Sequence, residues 1–348
     1  MKAKISSLQA KRSNPESRRF LGLLRRCAPR NDGIKIIALL GAIFIGASAA
    51  QAADTIKIGK AVQDVWHYTP ADIGIAEGFF AKQALDVEIS ILSGGAKLQQ
   101  ALLSGSIDLG LGGSQAMALS VKGSPTIAVA AIAGPPAGFS ILVVPDSPIK
   151  SVADLKGKSI GFASNGSLLD WMQQRLSIQQ GWGQHGMTGV AAGGEEASTA
   201  ALISHQLDAI ISTTENGFRL EAKHQVRILS NMQPFAPNLI TQVIFARKPF
   251  LAEHPDQVER FLKAWFRAVA YMVANKEKSS VIAAHALNMD TAVVERAYDV
   301  DMPYLSKDGT FDPKGIDVLR ESFVQLGILD RPPSDDQMLT TRFLPVKP

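Results

Sequence analysis

The chain has 348 residues, with 36 basic and 32 acidic side chains, a formal net charge of +4 and a single cysteine, Cys27. This length gives room for two domains. One cysteine excludes a disulfide within the chain and a metal site built from several thiolates.

A secretory leader is predicted at residues 34–52, IKIIALLGAIFIGASAAQA. Lys35 flanks an apolar run that is too short to span a bilayer comfortably, and the segment ends in Ala50-X-Ala52, which indicates cleavage after Ala52. Residues 1–52 are therefore left out of the fold prediction as a leader with a signal peptide. We expect a periplasmic protein, secreted across the inner membrane.

The mature chain has a different charge from the whole chain. The leader holds ten basic and two acidic residues, which leaves 26 basic and 30 acidic residues and a formal net charge of −4. No basic surface then favours nucleic acid, and no stretch after Ala52 reaches 18 consecutive apolar residues. We expect no nucleic-acid partner and no membrane span.

Strands and helices alternate along the mature chain with short loops between them. The pattern predicts strands over residues 55–62, 86–92, 126–134, 139–145 and 226–230, and helices over 70–83 and from His254-Pro255 onward. Such alternation is typical of an α/β fold with a largely parallel sheet. Ligands in these folds bind beyond the carboxyl ends of the strands.

One segment is present twice. Residues 93–113 and 192–213 each contain a Gly-Gly turn, a short helix and a small apolar run begun by an X-Asp pair. Four residues recur one hundred positions later: Ala101, Leu102, Ser104 and Asp108 as Ala201, Leu202, Ser204 and Asp208. The repeat predicts two related lobes with a ligand site between them. The plainer interpretation is that each Gly pair simply ends a strand.

Three motifs carry a resemblance to a known family. They are IAEGFFAKQALDVEI, LLSGSIDLGLGG and SPIKSVADLKGKSIGF, which occupy residues 75–89, 102–113 and 147–162. In this order they resemble the substrate-binding proteins of ABC importers, specifically the nitrate, taurine and alkanesulfonate group, also called SsuA/THI5-like or NMT1-like.

The resemblance implies an α/β, two-lobed periplasmic-binding-protein fold of type II. Each lobe is expected to be a mixed, mainly parallel sheet flanked by helices, and the chain is expected to cross between lobes twice. Lobe 1 is expected to comprise residues 53–143 and 238–348, and lobe 2 residues 144–237. The apolar stripe of the helix that follows Pro255 is expected to pack on lobe 1, with Trp265 and Phe266 in the core.

The resemblance also implies that four loops contact the ligand. The candidate ligand-binding residues are Gln63, Trp66, His67, Ser93, Gly94, Gly95, Ser114, Gln115, Ser164, Asn165, Gly166, Ser167, Glu195, Thr214 and Glu215. Hydroxyl, amide and backbone N–H groups at helix starts suit an oxyanion or a carbonyl oxygen. Trp66 and His67 equally fit a capped loop, and Asn165-Gly166 an ordinary turn.

The fourth loop departs from the family pattern. Alkanesulfonate binders often carry Trp-Asp-Pro after the LDAI segment, whereas this chain has Thr213, Thr214, Glu215 and Asn216. None of the four loops contains an arginine to clamp a sulfonate or carboxylate. The ligand class therefore stays open between a sulfonate, a nitrate-like anion, a carboxylate and a pyrimidine or amine compound.

The expected function is that of a solute-binding receptor that delivers a small molecule to an ABC permease and its ATPase in the inner membrane. We expect a monomer. We also expect no catalysis, no cofactor and no metal, because the chain lacks a nucleophile elbow, a paired-histidine zinc helix and a phosphate loop. The alternatives are a periplasmic ligand sensor, or a protein of the same fold that binds or makes the thiamine pyrimidine precursor. The enzymes of that last kind use a cysteine-rich segment, which the mature chain lacks.

Overall fold

The computed structural model describes residues 52–63 and 65–347. The predicted signal segment up to residue 51, together with Cys27, lies outside the described residues.

Ten strands and twelve α-helices are present in the described part of the chain. The strands are β1 (Asp54–Lys60), β2 (Leu85–Ile91), β3 (Leu109–Gly113), β4 (Thr126–Ala133), β5 (Phe139–Val143), β6 (Ser159–Phe162), β7 (Thr188–Ala191), β8 (Ala209–Thr213), β9 (Arg227–Asn231) and β10 (Gln242–Arg247). The helices are α1 (Thr69–Ala76), α2 (Gly95–Ser104), α3 (Met117–Val121), α4 (Leu168–Gln179), α5 (Glu195–Ile203), α6 (Thr214–Ala222), α7 (Lys248–Glu253), α8 (Pro255–Ala274), α9 (Lys276–Leu287), α10 (Thr291–Asp301), α11 (Pro313–Gln325) and α12 (Asp335–Met338). Short 3₁₀ turns include Trp66–Tyr68 and Ser114–Ala116.

The strands form two five-stranded sheets with the same topology. The first sheet has the order β2-β1-β3-β10-β4 and the second β7-β6-β8-β5-β9. In the first sheet β1 pairs in parallel with β2 and β3, and in the second β6 pairs in parallel with β7 and β8. One strand in each, β10 or β5, runs antiparallel to both its neighbours. The expected α/β fold with two mixed, mainly parallel sheets is confirmed.

The two copies of the repeated segment occupy equivalent places in the two sheets. One copy forms α2 and β3, and the other forms α5 and β8. The repeated aspartates have the same role: Asp108 accepts a hydrogen bond of 3.0 Å from the backbone N–H of Lys57, and Asp208 accepts one of 2.8 Å from that of Ser159. Each aspartate therefore fixes the start of its own strand beside the first strand of the sheet.

The crossing between the sheets lies earlier than the sequence indicated. Residues 139–143 were expected to close the first lobe, but β5 pairs with β8 and β9 of the second sheet. The chain therefore leaves the first sheet after β4, through the Pro-Pro-Ala-Gly turn before Phe139. A fully buried strand of mostly apolar residues fits the middle of either sheet equally well, so its composition did not reveal its partner.

The helix predicted for residues 70–83 is also shorter in the structure. Helix α1 ends at Ala76, and Gly78 then adopts a left-handed backbone with φ of 67°. The turn that follows brings the Phe80 ring, which is 2% exposed, onto α8, where it stacks on Phe261 at 5.2 Å between ring centroids. The free energy gained by burying these rings therefore outweighs that of continuing the helix.

The main core lies between the first sheet and α8. Trp265 and Phe266 are fully buried there, which confirms the sequence prediction for both. A second buried cluster contains residues of both sheets and joins Trp171 and Met172 of α4 to Phe323 of α11. The apolar core is thus continuous from the first sheet to the second. No helix in the described part of the chain is both long enough and apolar enough to cross a bilayer.

We predict that Asp208→Ala lowers the free energy of unfolding by about 1–3 kcal/mol, because two donors of Ser159, its N–H and its hydroxyl, lose their acceptor. Urea unfolding measures this effect. Asp86→Ala is the matched control, since Asp86 is an exposed carboxylate on an edge strand. Equal stability of both variants would contradict a structural role for Asp208.

Candidate functional site

A cavity of about 350 Å³ lies between the two sheets. It is formed by loops that follow the carboxyl ends of β1, β2, β3, β6, β7 and β8, as the alternation of strands and helices predicted. Three helices, α2, α4 and α5, begin at its edge. The lining residues are Ala61, Val62, Gln63, Val65, Tyr68, Ile91, Ser93, Gly94, Gly95, Gly113, Gln115, Phe139, Ala163, Ser164, Ser167, Leu168, Leu169, Gly193, Gly194, Glu195, Glu196, Ser198, Ile211, Ser212, Thr213 and Gln242.

The first-sheet wall presents a glycine turn and a tyrosine–glutamine pair. Gly94 has φ of 127°, a conformation that glycine adopts readily and other residues rarely, and its N–H bonds to the Ala61 carbonyl, which brings the start of α2 to the cavity. The Tyr68 hydroxyl donates to Gln242 Oε1 over 2.6 Å. Burial raises the pKa of Tyr68, so the phenol stays protonated as this donor. The bond fixes the carboxamide of Gln242 and leaves its Nε2 group as the one that can donate to a ligand.

The second-sheet wall begins with the loop before α4. Ser167 caps that helix by accepting from the Asp170 N–H, and Asp170 Oδ2 accepts from the Gly166 N–H over 2.8 Å. These reciprocal bonds hold the chain from Gly166 to Ser167 in one conformation. Ser164 and Ser167 consequently stand at the cavity as hydroxyl groups on a fixed loop.

A chain of buried polar groups orients Glu195 in the same wall. Arg219 donates to Asn216 Oδ1, and Asn216 Nδ2 donates to Ser212 Oγ over 2.9 Å. Because Ser212 Oγ accepts from Asn216, its proton is directed to Glu195 Oε1. The Thr213 N–H and hydroxyl donate to the same oxygen over 3.0 and 3.1 Å. Three donors on one oxygen fix the position of this carboxyl group at the cavity wall.

The described residues of the cavity wall include no cationic side chain. None of the described residues that line it is a lysine or arginine, whereas two of them, Glu195 and Glu196, are acidic. Between the polar groups lie apolar side chains on both sides: Val62, Val65, Ile91, Phe139, Leu168, Leu169 and Ile211. The arrangement offers flat apolar contact, amide and hydroxyl hydrogen bonds, and negative rather than positive charge.

The structure brings eight of the fifteen candidate residues together at the cavity. They are Gln63, Ser93, Gly94, Gly95, Gln115, Ser164, Ser167 and Glu195. They come from both copies of the repeat and from loops of both sheets, as expected for a site between lobes. Their contact with a ligand stays a prediction.

The other seven candidates lie outside the cavity wall. Asn165 and Gly166 are exposed, at the outer side of the loop before α4. Trp66, His67, Ser114, Thr214 and Glu215 are buried instead.

Each of the buried five has a partner or packing place that accounts for its position. The Trp66 ring packs edge-on against Tyr298, and His67 faces Asp301. The Ser114 hydroxyl donates to the Ile240 carbonyl, the Thr214 hydroxyl donates to the Ala137 carbonyl, and Glu215 accepts from the Trp66 N–H. These hydrogen bonds fix parts of the folded chain to one another. The five side chains therefore stabilise the fold and do not line the cavity.

Sequence reasoning missed Ser212 and Gln242, and it placed Tyr68 and Thr213 in ligand loops without choosing them as candidate residues. Ser212 and Thr213 are adjacent to the predicted Thr214, and the signal that could have found them is the end of β8 itself. Gln242 comes from the returning strand, 174 positions from its partner Tyr68, so no local pattern could have joined them.

The sequence matches a known protein family. The sequence profile described as NMT1/THI5 like matches residues 67–279, which is more than half of the chain. The protein belongs to the NMT1/THI5-like family.

Two relatives of similar sequence are described as binding proteins. An inferred binding protein of Brucella abortus is 28% identical over 248 residues, covering 69% of this chain and 74% of its own. The formylaminopyrimidine-binding protein of Halalkalibacterium halodurans is 24% identical over 261 residues, covering 70% and 76%.

Solved structures share the fold. The alkanesulfonate-binding protein SsuA of Xanthomonas axonopodis, bound to MOPS, aligns with a TM-score of 0.70 at 20% identity, covering 83% of this chain and 97% of its own. The desulfurization enzyme DSZB aligns with a TM-score of 0.60 at 16% identity, covering 84% and 97%. Binding proteins and an enzyme thus share this NMT1/THI5-like architecture, and the fold alone does not decide between them.

We predict that Ser114→Ala lowers the free energy of unfolding by about 1–2 kcal/mol, because the buried Ile240 carbonyl loses the hydroxyl that donates to it. Ser204→Ala, at an exposed serine, is the control and is expected to change stability by less than about 0.5 kcal/mol. Chemical unfolding of both variants gives the comparison. An unchanged stability for Ser114→Ala would argue against the structural role assigned here.

Proposed function

We propose that this NMT1/THI5-like protein is the periplasmic solute-binding receptor of an ABC importer. It captures a small organic solute between its two lobes and delivers it to the permease and ATPase of the inner membrane. The chain is exported by its leader, which is cleaved after Ala52, and the receptor acts as a monomer without cofactor, metal or catalytic step.

The single observation that supports a receptor is the cavity between the two sheets. Its walls come from both sheets in similar proportion, so a solute that contacts both walls binds more tightly when the lobes are closed than when they are apart. The closed population then reports occupancy, which is what a permease needs to distinguish loaded from empty receptor. We place the lobe boundary at the two crossing segments, residues 134–138 and 238–241.

The cavity chemistry favours an uncharged or protonated nitrogen heterocycle of the aminopyrimidine type. The two carboxylates of the wall repel an anion, and no described lining residue supplies a cation to balance a sulfonate, a nitrate-like ion or a carboxylate. A flat heterocycle would contact apolar side chains on both faces and exchange hydrogen bonds with amide and hydroxyl groups at its edge. The formylaminopyrimidine-binding relative is consistent with this class of solute.

The decisive experiment is a thermal-shift screen of the mature protein against aminopyrimidines, amines, sulfonates, nitrate and aromatic carboxylates. A solute present at about 100 times its Kd stabilises the folded protein by about 2.7 kcal/mol, which raises the melting temperature. We expect aminopyrimidines to give the largest shift. A larger shift with sulfonates would overturn the ligand class, and conversion of a bound solute to product, detected by mass spectrometry, would favour an enzyme.

We predict that Gln242→Leu weakens binding of the best solute of that screen by about 1–3 kcal/mol, because the cavity loses a fixed amide group and the Tyr68 hydroxyl loses its acceptor. Isothermal titration calorimetry measures the change. Gln225→Leu, at an exposed glutamine away from the cavity, is expected to bind like the unmodified protein. Equal affinity of the two variants would remove Gln242 from the site.

A further inference from the structure

A cluster of three titratable side chains is buried beside the crossing between the sheets and outside the cavity. His67 and Glu215 are each 1% exposed, and Asp301 is fully buried. His67 belongs to the 3₁₀ turn after β1, Glu215 to α6, and Asp301 to the end of α10. The three residues therefore lie together in one buried region. Two of their elements pack with the first sheet and one with the second.

The cluster holds the two sheets in contact. The Trp66 N–H donates to Glu215 Oε1 over 2.8 Å, which joins the first-sheet turn to α6 of the second. At the outer edge of the same contact, Arg296 of α10 lies 3.9 Å from the centre of the Phe218 ring and pairs with Glu221 at 3.2 Å. Docking of α6 on α10 thus buries Glu215 and leaves the Glu221 pair at the rim.

The crossing backbone itself covers the cluster. A methyl group at Gly138 would stand 2.6 Å from His67 Cε1 and 2.7 Å from Asp301 Oδ1, both too close for a real side chain. The carbonyl of Gly138 accepts a hydrogen bond from the Thr214 N–H over 2.9 Å. A rotation at this crossing therefore has to move the backbone against His67, Asp301 and the start of α6.

The charges of the cluster do not balance when every group is ionised. One imidazolium, with Nε2 at 3.5 Å from Asp301 Oδ1, offsets at most one of the two carboxylates. Both imidazole nitrogens, both Asp301 oxygens and Glu215 Oε2 lack a hydrogen bond in the described structure. The second carboxylate is therefore offset by backbone N–H groups at Glu215 and by no further charge. An unpaired buried carboxylate is costly, and protonation removes that cost.

The two neighbouring acidic groups act on Glu215 in the same direction. Burial, followed by the neighbouring Asp301 carboxyl, raises the pKa of Glu215 well above its ordinary value, and Glu195 adds to the rise. The backbone hydrogen bonds from Glu215 itself and from Trp66 oppose it but are outweighed. The two nearby cations are engaged elsewhere, Arg219 with Asn216 and Arg296 with Glu221.

We propose that this cluster is a proton-dependent latch between the lobes. The docked arrangement of α6 on the first lobe takes up one proton, carried by Glu215, and release of that proton weakens the docking. The sign follows from linkage: the docked form keeps the proton at a pH where the undocked carboxyl has lost it, so docking is favoured at low pH and lost as pH rises through the docked pKa.

The latch goes beyond the proposed function and concerns lobe docking alone. If the protein is a receptor, the latch makes solute capture stronger in acidic surroundings, and that consequence rests on the proposed function. Docking itself depends only on the contact between α6, α10 and the turn of Trp66.

The test measures the distance between the lobes without ligand. The chain after Ala52 has no cysteine, so Gln100→Cys on α2 and Lys223→Cys after α6, both at exposed positions, provide a single pair of spin-label sites. We expect one short distance in acidic buffer and a second, longer distance whose population grows as the buffer is made more alkaline. Between the two pKa values the ratio of populations changes by up to about tenfold per pH unit for one linked proton.

Two variants separate the latch from general effects of pH. Glu215→Gln keeps an oxygen to accept from the Trp66 N–H but cannot ionise, so the short distance is expected at every pH. Glu221→Gln, the matched rim control, is expected to keep the pH dependence. A pH-independent distance in the unmodified protein, equal pH dependence in Glu215→Gln, or its loss in Glu221→Gln would each overturn the proposal.

A second variant keeps the proposal open to refutation if Glu215→Gln does not fold. Asp301→Asn removes the neighbouring carboxyl, so the change of distance with pH is expected to shrink, and an undiminished change would overturn the latch. Failure of this distance measurement leaves the proposed receptor function intact. Failure of every solute in the thermal-shift screen removes that function and leaves the latch.

Discussion

The structure depends on the way in which the chain completes each sheet. Strands β5 and β10 are the only described strands that lie between two antiparallel neighbours, and each directly follows a crossing segment. Their backbone groups are paired on both edges, so neither crossing can shift along its sheet without breaking two ladders of hydrogen bonds. The proposed closing of the lobes therefore requires rotation in the short segments that precede these strands.

The same arrangement explains why conspicuous polar residues are not at the cavity. The backbone of a crossing segment has no strand beside it, so nearby side chains supply its hydrogen bonds. Ser114 and Thr214 each donate to a carbonyl group of one crossing segment. The cavity wall is built one or two positions away, from the last residues of the strands and the first residues of the helices. A hydroxyl at a strand end therefore has one of two different roles according to the direction in which it points.

The glutamate at the cavity, Glu195, and the glutamate at the crossing, Glu215, have different surroundings. In the cavity wall, three donors meet one oxygen of Glu195. At the crossing, Glu215 Oε1 accepts from the Trp66 N–H, whereas Oε2 has no hydrogen bond in the described structure and lies near a second buried carboxyl. Two glutamates on successive helices of the same lobe thus have opposite surroundings, because one accepts three hydrogen bonds on one oxygen and the other lies among buried groups beside a like charge.

The sequence by itself determined the α/β class, the duplicated strand and helix units, the core stripe of α8 and eight residues of the cavity wall, since these depend on periodicity and on turn residues close together in the chain. Only the tertiary structure decided that β5 belongs to the second sheet, that Gln242 meets Tyr68, and that Trp66, His67 and Glu215 face the crossing. An apolar strand pairs equally well on either side, and a polar side chain has the same local pattern in both roles. In both cases the residue's role depends on its contact partner in the folded chain. That partner is distant in sequence: Trp66 and Glu215 are 149 positions apart.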